Sequence, residues 1–309
     1  MKLRQLQCLC AVVDAGFNIS RAAVVLHATQ PAVSKQLRQF EEELGMDLMV
    51  RQAGRPVGLS EVGERTLAWA RRALQASENI RALAREGRGG SGGSIAIATS
   101  HAHATYLLLP AIMAFTSRFP KVRITVLQGA PAQTAELVRD GKATLAVTHA
   151  PEDLPKETVA VPFLTSPRLL VVPPGHALLK EKELTLEKIA AHPLIVSHSA
   201  RIGGSRILQR LEQAGLEANV VVQALDADVI KTYVAAGLGV GVVPAFAYSP
   251  QRDRALRARD VGHLFEPAAS VVVLRRQSLL QKYVYQFLEE LDPALERQRI
   301  EAQVFEQPT

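Results

Sequence analysis

Cysteine is nearly missing from this 309-residue chain, which has only Cys8 and Cys10. Two positions apart in a helix-patterned stretch, they have neither metal-ligand nor redox-pair spacing. This argues against a disulfide framework or a zinc cluster. No apolar run is long enough to span a bilayer, and the N-terminus lacks a leader pattern. A P-loop, a nucleophile elbow, a Ser-His-acid spacing and a dinucleotide fingerprint are also missing. These absences predict a chain that is not an enzyme. It should work in a reducing cytoplasm, away from membranes, with no cofactor and no metal.

Charge of one sign is only mildly in excess. Residues 1–90 hold 13 Lys and Arg against 9 Asp and Glu, and the remainder 23 against 21. The small positive surplus therefore sits mainly in the first third and suits a polyanionic partner. A length of 309 residues with 48% hydrophobic and 21% charged residues fits two or three globular domains.

The first third explains where such a partner would bind. From Thr29 to Leu44, Val33, Leu37, Phe40 and Leu44 recur at helical spacing and form one apolar stripe. Thr29 is placed to cap this helix, Pro31 fits its first turn and Gly45 ends it. Pro31, Lys35 and Arg38 lie opposite the stripe, flanked by Ser34 and Gln39. An ordinary amphipathic surface helix has the same pattern. Its neighbours favour DNA. Leu3, Leu6, Leu9 or Cys10, and Val13 mark one helix. Ile19 to His27 marks a second, with Ala22, Ala23 and Leu26 inward and Asn18 or Ser20 at its start. A short break then leads into the third, as in a helix-turn-helix. The exposed face, Gln30, Pro31, Ser34, Lys35 and Arg38, would enter the major groove of double-stranded DNA.

Next, 48–51 and 55–59 read as two short strands and a turn, a wing carrying Arg51 and Arg55 toward phosphate. Residues 60–86 read as one helix of ~40 Å. Its stripe of Leu67, Ala70, Leu74, Ile80 and Leu83 predicts pairing with a second copy. The Gly- and Ser-rich stretch 87–94 is a hinge. The expected division is 1–59, 60–90 and 91–309. Strands then alternate with helices to a last helix ending near Leu291, which predicts an α/β domain. The run Gly239-Val240-Gly241-Val242 marks a tightly packed strand. Ligands in such domains bind beyond the carboxyl ends of the strands.

The residues Ala22-Ala23, Leu26, Gln30-Pro31-Ala32-Val33-Ser34, Leu44-Gly45, Arg51, Leu59-Ser60 and Gly63 resemble, in order and spacing, the LysR-type transcriptional regulators. That resemblance implies a winged helix-turn-helix, a long linker helix, and a periplasmic-binding-protein-like effector domain of two subdomains. These would be about 91–162 with 268–292, and about 163–267. It implies a homodimer assembling to a homotetramer, with RNA polymerase a further candidate partner. Asp226 to Val234, Gly237 to Val242, Gln128 to Pro131, Gln133, Arg275-Arg276 and Tyr283 are similar to the CysB-type subgroup of sulfur-gene activators.

The subgroup's anion site begins with Thr-Thr-His-Thr-Gln after the first strand of the domain. Here the run is Thr99-Ser100-His101-Ala102-His103. Gln128 belongs to the same implied site. His149 and Ile202 replace two threonines, and Ser166 replaces a tryptophan. His198 joins the set at another predicted strand end. Scattered polar histidines, an anion pocket and a metal site are three readings of these positions. The anion pocket is the functional expectation, with a small effector, such as a sulfur metabolite, less fully coordinated by hydroxyls than sulfate. If His103 and His149 face it, binding should strengthen below pH ~6.5. Gly203-Gly204-Ser205-Arg206 opens a helix, and Asp226 and Asp228 are placed as caps. The competing functional readings are a LysR-type regulator of an unrelated catabolic pathway, and an enzyme or small-molecule-binding protein with an added DNA-binding-like segment.

Overall fold

The computed structural model describes residues 1–86, 93–151, 153–197 and 205–306. The expected sites His198 and Ile202, the Gly203-Gly204 turn and hinge residues 87–92 lie outside the described residues. The chain divides into two compact units. One is Met1–Gly89 with Gln277–Leu280; the other is Gly90–Arg276 with Gln281–Thr309.

The first unit begins with α1 (Leu3–Asp14), α2 (Ile19–Val25) and α3 (Gln30–Leu44). Their apolar faces meet in one core containing Leu6, Leu9, Val12, Ala22, Val33, Leu37 and Phe40. Asn18 caps α2 by accepting from the Arg21 N–H. Thr29 holds the capping position of α3, but its hydroxyl makes no capping bond there. Gly45 closes α3 in the left-handed conformation, at φ 67°. β1 (Met49–Gln52) and β2 (Arg55–Leu59) then pair antiparallel as the expected wing.

α4 (Glu61–Glu86) is the long helix. Its inward stripe differs from expectation. Leu67, Ala70 and Leu74, together with Ala73, pack on the core of the three-helix head. Ala70 is buried there, whereas Leu67, Ala73 and Leu74 are half-buried against their own head. The outward face carries Trp69, 67% exposed, and Ile80, 68% exposed. The side chain of Leu83 is outside the described residues.

In the second unit, β3 (Gly93–Thr99) leads to α5 (His101–His103), a π-helical turn (Ala104–Leu108) and α6 (Leu109–Arg118). The sequence predicts one helix here from His103 to Phe119. Pro110 cannot donate to the Tyr106 carbonyl, consistent with the widened turn at this point. β4 (Val122–Gln128), α7 (Pro131–Arg139), β5 (Leu145–His149) and β6 (Thr158–Ser166) follow. After them come β7 (Arg168–Val172), α8 (Leu186–Ala190), β8 (Leu194–Ser197), α9 (Arg206–Gln213), β9 (Val220–Ala224) and α10 (Ala227–Ala235). β10 (Val240–Pro244), β11 (Arg257–Asp260), β12 (Ala268–Arg275), α11 (Lys282–Leu291) and α12 (Arg297–Phe305) complete the unit.

These strands form two five-stranded sheets, ordered β4-β3-β5-β12-β6 and β11-β7-β10-β8-β9. In the first, β3, β4 and β5 are parallel, and β12 runs antiparallel to β5 and β6. The chain passes between the sheets twice, through Ser166-Pro167-Arg168 and through 261–267. Each sheet thus anchors one lobe, and these two passages link the lobes. Three elements went unread in the sequence. β6 is an edge strand containing Pro162. β11 is a polar edge strand, Arg-Ala-Arg-Asp. α12 buries only Ile300 and Val304. Among the described residues, no helix is long and apolar enough to cross a membrane.

Candidate nucleic-acid interface and effector crevice

The outward face of α3 is free to meet DNA. Gln30, Pro31, Lys35 and Arg38 are exposed, and Ser34 is half-buried within reach of the Gln30 amide at 3.5 Å. Among the described residues neither Lys35 nor Arg38 makes an ion pair. An open hollow of about 660 Å³ lies between α3 and the wing, bordered by Ser34, Arg38, Arg51 and Pro56. Of the groups expected to meet DNA, Ser34, Arg38 and Arg51 border this hollow, whereas Gln30, Pro31, Lys35 and Arg55 do not line it. Arg55 is exposed on β2.

Arg51 has a different arrangement from the free phosphate ligand expected of a wing arginine. Its Nη2 donates to Glu41 Oε2 at 2.7 Å. Glu41 is buried, and its Oε1 also accepts from the Leu48 and Met49 N–H groups at 3.0 and 3.1 Å. One carboxylate on α3 thus satisfies the turn into β1 and fixes the wing arginine. Glu41 was hidden in the sequence among three consecutive glutamates. At the base of the wing, the Ser60 hydroxyl donates to the Asp47 carbonyl at 2.7 Å and accepts from the Gly63 N–H at 3.0 Å. A Cβ at Gly63 would stand 2.1 Å from the Leu48 carbonyl oxygen, so only glycine allows this approach.

In the second unit, Thr99, Gln128 and His149 end β3, β4 and β5 side by side. Thr99 is buried and donates to the Val147 carbonyl at 2.6 Å. Gln128 is exposed on the outer strand. Ser100 caps α5, and its Oγ lies 2.7 Å from His103 Nδ1. His103 Nε2 is 2.9 Å from Ser270 Oγ. Both ring nitrogens of this fully buried histidine are therefore engaged. It positions Ser100 and Ser270 and holds no free donor for an anion. Ala102 is buried in a cluster with Val171, Ile195, Ala224 and Ala247.

The rings of His103 and His149 meet edge-on at 4.5 Å, and Phe246 lies 5.0 Å from the first and 6.0 Å from the second. Burial, and next the neighbouring His149, push the His103 imidazole down to about 2. Burial, and then the Arg168 cation, push His149 down to about 4. The expected charge change near pH 6.5 does not occur, because a buried imidazole loses the hydration that supports its cation. Ser166 is buried, and its hydroxyl accepts from the Phe246 N–H at 3.2 Å.

His101 lies apart from this group. Its Nε2 is 3.1 Å from Asp228 Oδ2 on α10. Asp226 caps α10 as expected, accepting from the Asp228 and Val229 N–H groups. Asp228 instead faces across the crevice, where the Tyr106 hydroxyl donates to it at 2.6 Å. The buried Lys231 ammonium donates to Tyr106 at 2.6 Å, to the Ala247 carbonyl at 2.8 Å and to Asp253 at 2.9 Å. Lys231 was legible in principle, as a cation on the inward face with Ala227, Ile230 and Val234. Such a residue requires carboxylate partners. Among the described residues, no group of three or more His, Cys, Asp or Glu side chains could hold a metal.

Residues 3–64 match the model for the bacterial regulatory helix-turn-helix protein, lysR family, and residues 88–296 match the LysR substrate binding domain. The chain is 39% identical over 300 residues to the HTH-type transcriptional regulator SsuR of Burkholderia cenocepacia, covering 97% of each. It is 40% identical over 302 residues to the regulator CysB of the same organism, covering 97% of this chain and 96% of the other. Among solved structures, the cofactor-binding domain of the Cbl transcriptional regulator is 37% identical, with a TM-score of 0.65, covering 71% of this chain and 96% of that one. With its helix-turn-helix head and substrate-binding unit both matched, the chain belongs to the LysR family of bacterial DNA-binding transcriptional regulators.

Proposed function

We propose that this regulator controls genes of sulfur assimilation or sulfur-source use in the cytoplasm, gated by a small anionic effector in the crevice. The observation that carries this reading is end-to-end similarity to SsuR and CysB, together with an α3 face whose Lys35 and Arg38 are exposed and, among the described residues, make no ion pair. The operator face comprises Gln30, Pro31, Ser34, Lys35 and Arg38, with Arg55 on the wing. Arg51 acts chiefly by holding the wing to α3. The effector residues lie around Ser100, His149 and Ser166, with Thr99 and His103 fixing their positions.

The working assembly is a homodimer joined through α4, with dimers associating into a tetramer. The exposed Trp69 and Ile80 of a helix already packed on its inner side support a second copy as the occupant of the outer side. Contact with RNA polymerase fits a regulator that activates.

The test is capture of genomic fragments by the purified protein, followed by sequencing. Enrichment upstream of sulfate- or sulfonate-utilisation genes is expected. Enrichment confined to an unrelated catabolic operon would favour the alternative family role.

A further inference from the structure

We propose that Arg168, at the hinge between the lobes, anchors the end group of an organic anion whose apolar body, such as a ring, rests on Phe246 and His149. The inference rests on the crevice being the effector site and specifies the ligand class.

Arg168 begins β7, directly after the passage Ser166-Pro167 from the first sheet. The Pro167 carbonyl accepts from the Ala245 N–H at 2.9 Å, and Ser166 holds the Phe246 N–H. The same passage therefore fixes the arginine and the backbone of the phenylalanine. Arg168 Nε donates to the Glu266 carbonyl at 3.2 Å, on the second passage between lobes. Among the described residues, its two terminal nitrogens make no hydrogen bond and it pairs with no carboxylate. The neighbouring Arg206 pairs with Glu266, 80% exposed, at 3.5 Å. Burial, and then Arg206, push the Arg168 guanidinium down to about 10. A half-buried cation beside a second cation is unfavourable, and a bound anion lowers that cost. The guanidinium fork fits the two oxygens of a carboxylate or sulfonate edge.

Beside Arg168 lies an aromatic patch. Phe246, His149 and His103 form one ring cluster, and both imidazoles are neutral at physiological pH. His103 has no spare nitrogen, and Ala102 brings no hydroxyl. Sulfate oxygens turned toward the Phe246 ring would meet no donor there. An anion with one charged end and an apolar body matches both the arginine and the patch.

The test is calorimetry on the full chain at pH 7.5 with benzenesulfonate, benzoate, methanesulfonate and inorganic sulfate. The proposal expects the ring anions to bind about tenfold or more tighter than sulfate. A preference for benzenesulfonate or for benzoate tells sulfonate from carboxylate sources. Arg168→Lys keeps the charge but loses the fork, and should weaken ring-anion binding about tenfold or more without altering the melting temperature. Phe246→Leu should weaken benzenesulfonate while sparing methanesulfonate, which gives a second test if the arginine variant misfolds. Sulfate binding as tight as benzenesulfonate overturns the proposal. So does wild-type affinity in Arg168→Lys, or no binding of any probe. DNA capture by the same preparation, retained alongside any of these results, leaves the regulator reading standing while this inference falls.

Discussion

Glu41 carries more of the DNA-reading head than its place in an acidic run suggests. It is a buried carboxylate with two backbone N–H partners and one guanidinium. Glu41→Gln keeps the shape but loses the charge-assisted bonds, and should destabilise the head by about 1–3 kcal/mol. Chemical denaturation of both proteins measures the difference. The crevice histidines make a second residue-scale prediction. Their folded pKa values, about 2 for His103 and about 4 for His149, lie below the ordinary histidine value. Below pH ~6.5 the unfolded chain takes up protons that the folded chain refuses. Their stabilising contribution is thus complete above that pH and is lost as pH falls toward 4. The melting temperature should drop more steeply between pH 6.5 and 4.5 in the wild type than in His149→Gln. Anion affinity should not rise between pH 8 and 6 through these two rings.

At the scale of elements, α4 has two faces with different roles. Leu74 packs, half-buried, against the core of its own head, whereas Trp69 stands in the open. Leu74→Glu should therefore unfold the head. Trp69→Glu should leave it folded and shift the chain toward monomer in sedimentation velocity. A Trp69→Glu chain that stays dimeric would move the interface elsewhere. This division also shows what the sequence could and could not reveal. Periodicity located α4 and its stripe, because apolar spacing reports burial, but burial against the head and burial against a partner look alike in one chain. The recognition face on α3 was legible because its polar and apolar sides separate cleanly. Lys231, Glu41 and Arg168 were not singled out, since their roles depend on partners 22, 10 and 98 positions away. The edge strand β6 was obscured by Pro162, and α12 by its scarcity of apolar residues.

At the scale of the whole chain, the two lobes of the second unit are tied to each other by side chains. Tyr106 from one lobe joins Asp228 and Lys231 of the other through a single hydroxyl. Tyr106→Phe removes that bridge while keeping the ring, and should speed amide exchange at α10 with the fold intact. The central claim is that α3 reads DNA. Its most direct measurement is fluorescence anisotropy with a promoter fragment recovered by genomic capture, comparing wild type, Lys35→Ala, Arg38→Ala and the double variant across salt concentrations. Each single change should cost about 1–3 kcal/mol where the side chain meets a base, and wild-type affinity should fall steeply with salt. A double variant that binds as tightly as the wild type, with the same salt dependence, would contradict the account.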